Sequence, residues 1–252
     1  MRNVKHLCLL CLLVQLFLPV ASAFAQPMAE AKSAFDKLLK YRSDGDPESL
    51  KAALRSVDSL ISRLDGSKDT GLETLSAAAY AADTAYQATG DEKYLKFAER
   101  LASSITEKLN TGPVRSGPEG AVAIGVLMDL YYITGTKAYK EEAAKAVDGL
   151  TPGSPAAEMA RETCYEFIVV GRLGTPGLDE LIRKSFMYDD PCRVVVVLDP
   201  GRNRERLVQL GYEYPGRPCL FVCSDKTCFP PVYAGEDLTR IRQSIKKIRE
   251  MK

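Results

Sequence analysis

Cysteines and carboxylates are the side chains of this sequence whose types and spacing could do chemistry. Cys223 and Cys228 stand on either side of Ser224-Asp225-Lys226-Thr227, a polar stretch suited to a turn that would set the two sulfurs across a hairpin. Such a pair can close a structural disulfide, cycle as a redox couple or offer thiolates to a metal, and an oxidising compartment favours the disulfide. Its loop is short, so its chain-entropy contribution is about 2 kcal/mol, which pins a turn more than it holds a domain. Cys164, Cys192 and Cys219 complete an odd set downstream of residue 25, so one thiol has no partner in a fully oxidised monomer. Cys192 and Cys219 sit beside strand-like runs and read as buried thiols. Glu73 and Glu119 are the candidates for acid–base chemistry. Sugar chemistry of that kind needs two carboxyl groups about 5 to 9.5 Å apart; the simpler reading is of exposed acids stabilised by helix N-termini.

What is missing constrains the chemistry further. The single histidine is His6, inside a segment expected to be removed. Without an imidazole there is no Ser-His-Asp or Cys-His nucleophile, no histidine-ligated zinc or haem and no histidine general base. Tryptophan, a frequent platform in sugar clefts, is absent as well. No cofactor and no metal site is expected.

Arg2 and Lys5 precede an apolar run from Leu7 to Val20, which is followed by the small residues Ala21, Ser22, Ala23 and Ala25. Those are the three regions of a secretory signal peptide. The run is shorter than the roughly 20 residues that cross a bilayer, so residues 1–25 are expected to be cleaved, with a new N-terminus between Phe24 and Met28. The product would be released to the periplasm or the extracellular space with no membrane attachment. Loss of Arg2 and Lys5 turns the formal charge from +1 to −1, a balance that selects neither nucleic acid nor anionic lipid.

The elements that position the candidates follow from self-similarity. At an offset of 45 residues Tyr41, Tyr86 and Tyr131 coincide, as do Gly45, Gly90 and Gly135; Leu60, Ile105 and Leu150 fall into line behind them. Each unit reads as helix, left-handed glycine turn, helix, with Asp46, Asp91 and Thr136 as N-caps and Pro47 at a first helical position. Units of this kind bury their apolar faces by stacking. Glu73 and Glu119 open the first helices of their units. The tyrosines would serve inter-hairpin packing or, alternatively, a sugar-stacking surface. Lys32, Asp36, Lys37 and Lys40 give the helix over residues 29–41 a polar capping face. Gly120 to Met128 is apolar all round and demands burial on every side, by the C-terminal tail in the main, with self-association or a partner on what remains.

Beyond Pro155 a helix is expected over residues 156–165, then strands at Phe167 to Val170, Val194 to Leu198 and Cys219 to Cys223, with helices at Leu178 to Phe186 and Leu238 to Ile248. Strand-helix-strand order favours a parallel pair. Gly171, Gly174 and Gly177 have neither dinucleotide-binding nor Walker spacing and read as an ordinary strand-to-helix connection. Arg202 to Arg206 reads as a solvated helix face. The fold class is therefore mostly α: stacked α-hairpin repeats of period 45 over residues 26–165, followed by a small α/β subdomain with a Cys-x4-Cys hairpin over 166–252.

Ala85-Tyr-Gln-Ala-Thr-Gly-Asp-Glu-Lys-Tyr-Leu, Leu130-Tyr-Tyr-Ile-Thr-Gly, the strand to Asp199 and especially Phe221-Val-Cys-Ser-Asp-Lys-Thr-Cys-Phe-Pro-Pro-Val carry a family likeness. The chain resembles the C-terminal part of the thioredoxin-domain proteins related to spermatogenesis-associated protein 20; their thioredoxin domain has no counterpart here. Those proteins are similar to six-hairpin glycosidases and sugar epimerases. The resemblance implies that the hairpin repeats form a partial α/α toroid whose first-helix ends, where Glu73 and Glu119 lie, face a central funnel. Two function classes follow. One is a non-catalytic binding or assembly module with a protein partner or a second copy. The other is an enzyme, acting on carbohydrate through carboxylates or on disulfides through Cys223 and Cys228.

Overall fold

The computed structural model describes residues 27–64, 70–111, 118–147, 164–188, 193–224 and 227–250. The expected signal peptide, Cys192 and residues 156–163 lie outside them.

Gly45, Gly90 and Gly135 all take left-handed backbone, with φ of 69°, 70° and 73°. At each one a helix ends and the next begins two residues on, because glycine adopts this conformation without a Cβ penalty. The result is α1 (27–44) with α2 (Pro47–Arg63), α3 (Leu72–Thr89) with α4 (Glu92–Thr111), and α5 (Pro118–Thr134) with α6 (Lys137–Val147). Asp46 caps α2 by accepting from the Glu48 and Ser49 amides, with Pro47 behind it. Tyr41, Tyr86 and Tyr131 occupy equivalent places on α1, α3 and α5, as the 45-residue period requires.

The tail runs β1 (Tyr165–Val170), α7 (Pro176–Phe186), β2 (Arg193–Leu198), α8 (Arg204–Gln209), β3 (Cys219–Ser224), β4 (Thr227–Cys228), β5 (Val232–Tyr233) and α9 (Thr239–Glu250). Tyr165, expected to end a helix, instead opens a strand. The sheet order is β2-β1-β3-β4, with β5 also paired to β3. β1 and β2 are parallel, with Ile168 opposite Val196, whereas β3 runs antiparallel to β1.

Side chains alternate across a sheet, and here both faces are buried. Ile168, Val170, Val194, Val196 and Leu198 join one continuous apolar core with α3, α4 and α5. Phe167, Val169, Val195, Val197, Leu220 and Val222 pack instead with Leu178, Leu181 and Ile182 of α7 and Ile241 and Ile245 of α9. That two-sided burial is why the strands read as unbroken apolar runs rather than alternating ones. It also helps to cover α5, whose residues 123–130 are all buried, but the expectation of the tail as the main cover is corrected: α3 and α6 lie along most of the helix, α4 and the sheet, through β2, cover less of it, and Val122 stays exposed. The hairpin array and the tail thus share a core, and the boundary near residue 165 divides the sequence rather than the hydrophobic interior. Among the described residues, no helix is long and apolar enough to cross a membrane.

Candidate functional site

β2 is an edge strand, and an open edge exposes unpaired backbone groups. Two α3 side chains occupy that edge. The Tyr86 hydroxyl donates to the Val197 carbonyl (3.2 Å) and accepts from the Val197 amide (3.3 Å), while Gln87 Oε1 accepts from the Val195 amide (3.1 Å). Burial pushes the Tyr86 phenol up to about 12, with the Val197 hydrogen bond opposing the rise. Tyr41 stacks on Phe186 of α7 at 5.7 Å. Tyr131 lies beside Tyr132, with the Lys140 ammonium 5.2 Å from its ring centre. Inter-hairpin packing holds for Tyr41, which clusters with Ala88 of α3 as well as Phe186; Tyr41 and Tyr86 also fasten the tail, and Tyr131 faces a cleft described below.

The Gln87 amide continues inward, donating to Asp83 at 2.9 Å and Asp129 at 3.5 Å. Asp83 of α3 is fully buried and Asp129 of α5 is 6% exposed. Both carboxyl groups thus receive the same amide, and burial raises the pKa of both while Arg193 opposes the rise. Two neighbouring carboxyls with raised pKa values are an arrangement that acid–base enzymes use. Here no substrate could reach it, since neither acid lines any of the three clefts described. Sequence inspection missed this pair. Its signal was a lone acid within the apolar stretch of α5, at an offset of 46 from Asp83 instead of 45.

Cys223 and Cys228 lie directly opposite each other on β3 and β4 and are joined by a disulfide. The Tyr212 hydroxyl is 2.9 Å from Cys223 Sγ and 3.5 Å from Cys228 Sγ; it is the donor, because neither sulfur carries a proton. Cys223 is buried and Cys228 exposed. Cys164 is disulfide-bonded too, to a partner outside the described residues. Cys219 is a buried free thiol, as expected, and burial pushes it up to about 11.

Glu73 is exposed in the first turn of α3 and Glu119 half-buried in the first turn of α5. Neither lines any of those three clefts. Gly171, Gly174 and Gly177 make the expected connection from β1 to α7; within it the Leu173 amide is engaged by Asp199 (3.0 Å). Among the described residues no cluster of acids, cysteines or histidines could hold a metal ion.

The largest of those three clefts, about 810 Å3, opens at the other end of the third repeat. The α5–α6 turn with Tyr131, Tyr132 and Lys137 forms one wall, Glu166 and Ile168 of β1 with Val196 of β2 form the floor, and residues 202–206 form the opposite wall. Asn203 fixes that wall: its Oδ1 accepts from the Asp199 amide (2.8 Å) and its Nδ2 donates to Glu92 (3.1 Å). Arg202, Arg204 and Glu205 are exposed, but Arg206 is half-buried, with its guanidinium held below the usual arginine range by desolvation. The expectation of a uniformly solvated basic face is corrected there, because α8 lies against the sheet through Leu207 and turns Arg206 inward. Burial also raises the Glu166 and Glu99 carboxyls, with Arg206 opposing both.

No protein-family model and no curated protein matches this chain.

Proposed function

We propose that the chain is an exported binding or assembly module that carries out no catalysis. The observation that supports this most is the seating of the sheet against α3 and α5. In a toroid of α-hairpins the first helices surround the funnel that holds the substrate, and in this chain that side of α3 and α5 is filled by the protein's own valines and leucines. The carboxyl pair of Asp83 and Asp129 is enclosed in the core. What stays accessible is a cleft with charged and tyrosine side chains at the junction of the third repeat and the tail. Export, to the periplasm or beyond the cell, is part of the same proposal, and the bonded state of Cys164, Cys223 and Cys228 supports it, since disulfides persist in oxidising compartments. Kinship with the thioredoxin-domain proteins related to spermatogenesis-associated protein 20 is also proposed, on the motif from Phe221 to Val232.

Intact-mass analysis of the exported protein should place its N-terminus between Phe24 and Met28. The mature protein should turn over neither a panel of oligosaccharides nor a dithiol–disulfide substrate. Hydrolysis or isomerisation of a glycan that Glu119→Gln abolishes would replace the module by an enzyme.

One observation favours a second reading, a thiol–disulfide exchange role. Cys228 is exposed at the sheet margin, and the Tyr212 hydroxyl is placed to donate to a thiolate formed at either sulfur. Attack by an external thiolate on Cys228 Sγ would break the disulfide, form a mixed disulfide at Cys228 and leave the electron pair on Cys223 Sγ. This reading requires Cys223→Ser to trap that mixed disulfide in the exported protein.

A further inference from the structure

Arg206 and Glu166 face the same cleft, and among the described residues neither side chain makes a hydrogen bond or an ion pair. A partly desolvated guanidinium without an acceptor is unfavourable, because its donors have given up part of their hydration and gained no partner. Neighbouring acids do not relieve it: Glu166 and Glu99 act on Arg206 only through the field between them, beyond the 4 Å of an ion pair. The cleft wall adds Lys137, Arg202 and Arg204 against the single further acid Glu205, a local basic excess in a chain whose total charge is close to zero. The rings of Tyr131 and Tyr132, 5.1 Å apart and tilted by 57°, supply an angled amphipathic wall beside these charges.

We propose that this cleft binds a small ligand through a carboxylate or phosphate group received by Arg206, with the body of the ligand against Tyr131 and Tyr132. A guanidinium offers two parallel donors to such a group, and the field of three further cations draws it in. Glu166 sets the opposite sign: ionised, it repels the incoming oxygens, and its elevated pKa marks the side from which a proton would relieve that repulsion. Asn203, clamped between Asp199 and Glu92, keeps the receiving wall in place before the ligand arrives, so little ordering is required on binding. The inference rests on the reading of the chain as a binding module and specifies its ligand class.

Isothermal titration of the mature protein at low ionic strength, with citrate and inorganic phosphate as probes and glucose as the uncharged control, tests it. Saturable binding of citrate or phosphate, but not of glucose, is expected, and the tighter of the two identifies the group as carboxylate or phosphoryl. Arg206→Gln should weaken binding about tenfold or more and Arg206→Lys by less, since lysine keeps the charge but not the fork. Glu166→Gln should tighten binding severalfold, a gain that simple damage to the fold would not produce. An absence of saturable heat with both anions, equal binding of glucose, unchanged affinity in a folded Arg206 variant, or weaker binding by Glu166→Gln would each overturn the proposal. None of those outcomes is turnover, so the module reading would still stand or fall by its own assay.

Discussion

Tyr86 with Gly90 and Tyr131 with Gly135 are the same turn in consecutive repeats, with the same left-handed glycine and the same tyrosine four residues before it. In the second repeat the tail closes over the turn: the hydroxyl of Tyr86 is bonded to both backbone groups of Val197, and a Cβ on Gly90 would come within 2.6 Å of Val197 Cγ1. In the third repeat the tail stops short. Nothing lies within 4 Å of a Cβ on Gly135, and Tyr131 borders open space. One local geometry recurs in both, and what distinguishes structure from candidate site is the placement of β2 and α8 against it. A repeat position in this molecule has no role of its own until the tail has been placed.

The strongest way to break that comparison is at the glycines. Gly90→Ala combines the cost of left-handed backbone with overpacking against Val197, and should lower stability by about 3 kcal/mol in urea denaturation. Gly135→Ala incurs only the backbone cost, about 1 kcal/mol. Equal losses would mean that the tail does not sit on the second turn.

The acid pair spanning these repeats gives the next effect, one of pH. Burial raises the folded-state pKa of Asp83 and Asp129 above the ordinary 3.8. The folded state then holds more protons than the unfolded chain from that pH up to the raised values, so their contribution to stability is greatest in acid and is lost as pH rises through the window. Thermal unfolding followed from pH 4 upward should show Asp129→Asn with a flatter decline than the unsubstituted protein. A parallel decline would mean that Asp129 does not hold its proton in that window. The smallest difference is expected at the tyrosines themselves. Tyr86→Phe strands the Val197 amide and carbonyl and should cost about 1 to 2 kcal/mol, whereas Tyr131→Phe, at the cleft, should stay within about 0.5 kcal/mol.

Much of this organisation was legible in the residues. Periodicity reports which positions face an apolar neighbour, so the hairpins, the strands and the need to cover α5 could all be read, and Cys223 with Cys228 followed from a local turn. Pairings across more than a hundred residues leave no periodic trace. Gln87 looks like one more polar residue near a helix end, yet it ties the Val195 amide to two buried acids. Arg206 belongs to a basic run in sequence, and only the packing of Leu207 separates it from the solvated Arg202 and Arg204. Glu73 and Glu119 were placed correctly at helix starts; nothing local could tell that the cleft would open at the opposite end of the repeat.

The bonds that link Tyr86 and Gln87 to β2 join residues 108 and 111 positions apart, and this sets an order of events during synthesis. When α3 and α5 have emerged, the strands that must cover them have not yet been made. The array cannot bury its inner apolar surface until the last third of the chain arrives, and contacts of such long range form slowly. Until then the molecule is a set of helices with a sticky face turned outward, dependent on whatever holds unfolded chains apart in its compartment. A chain interrupted after α6 would remain in that condition.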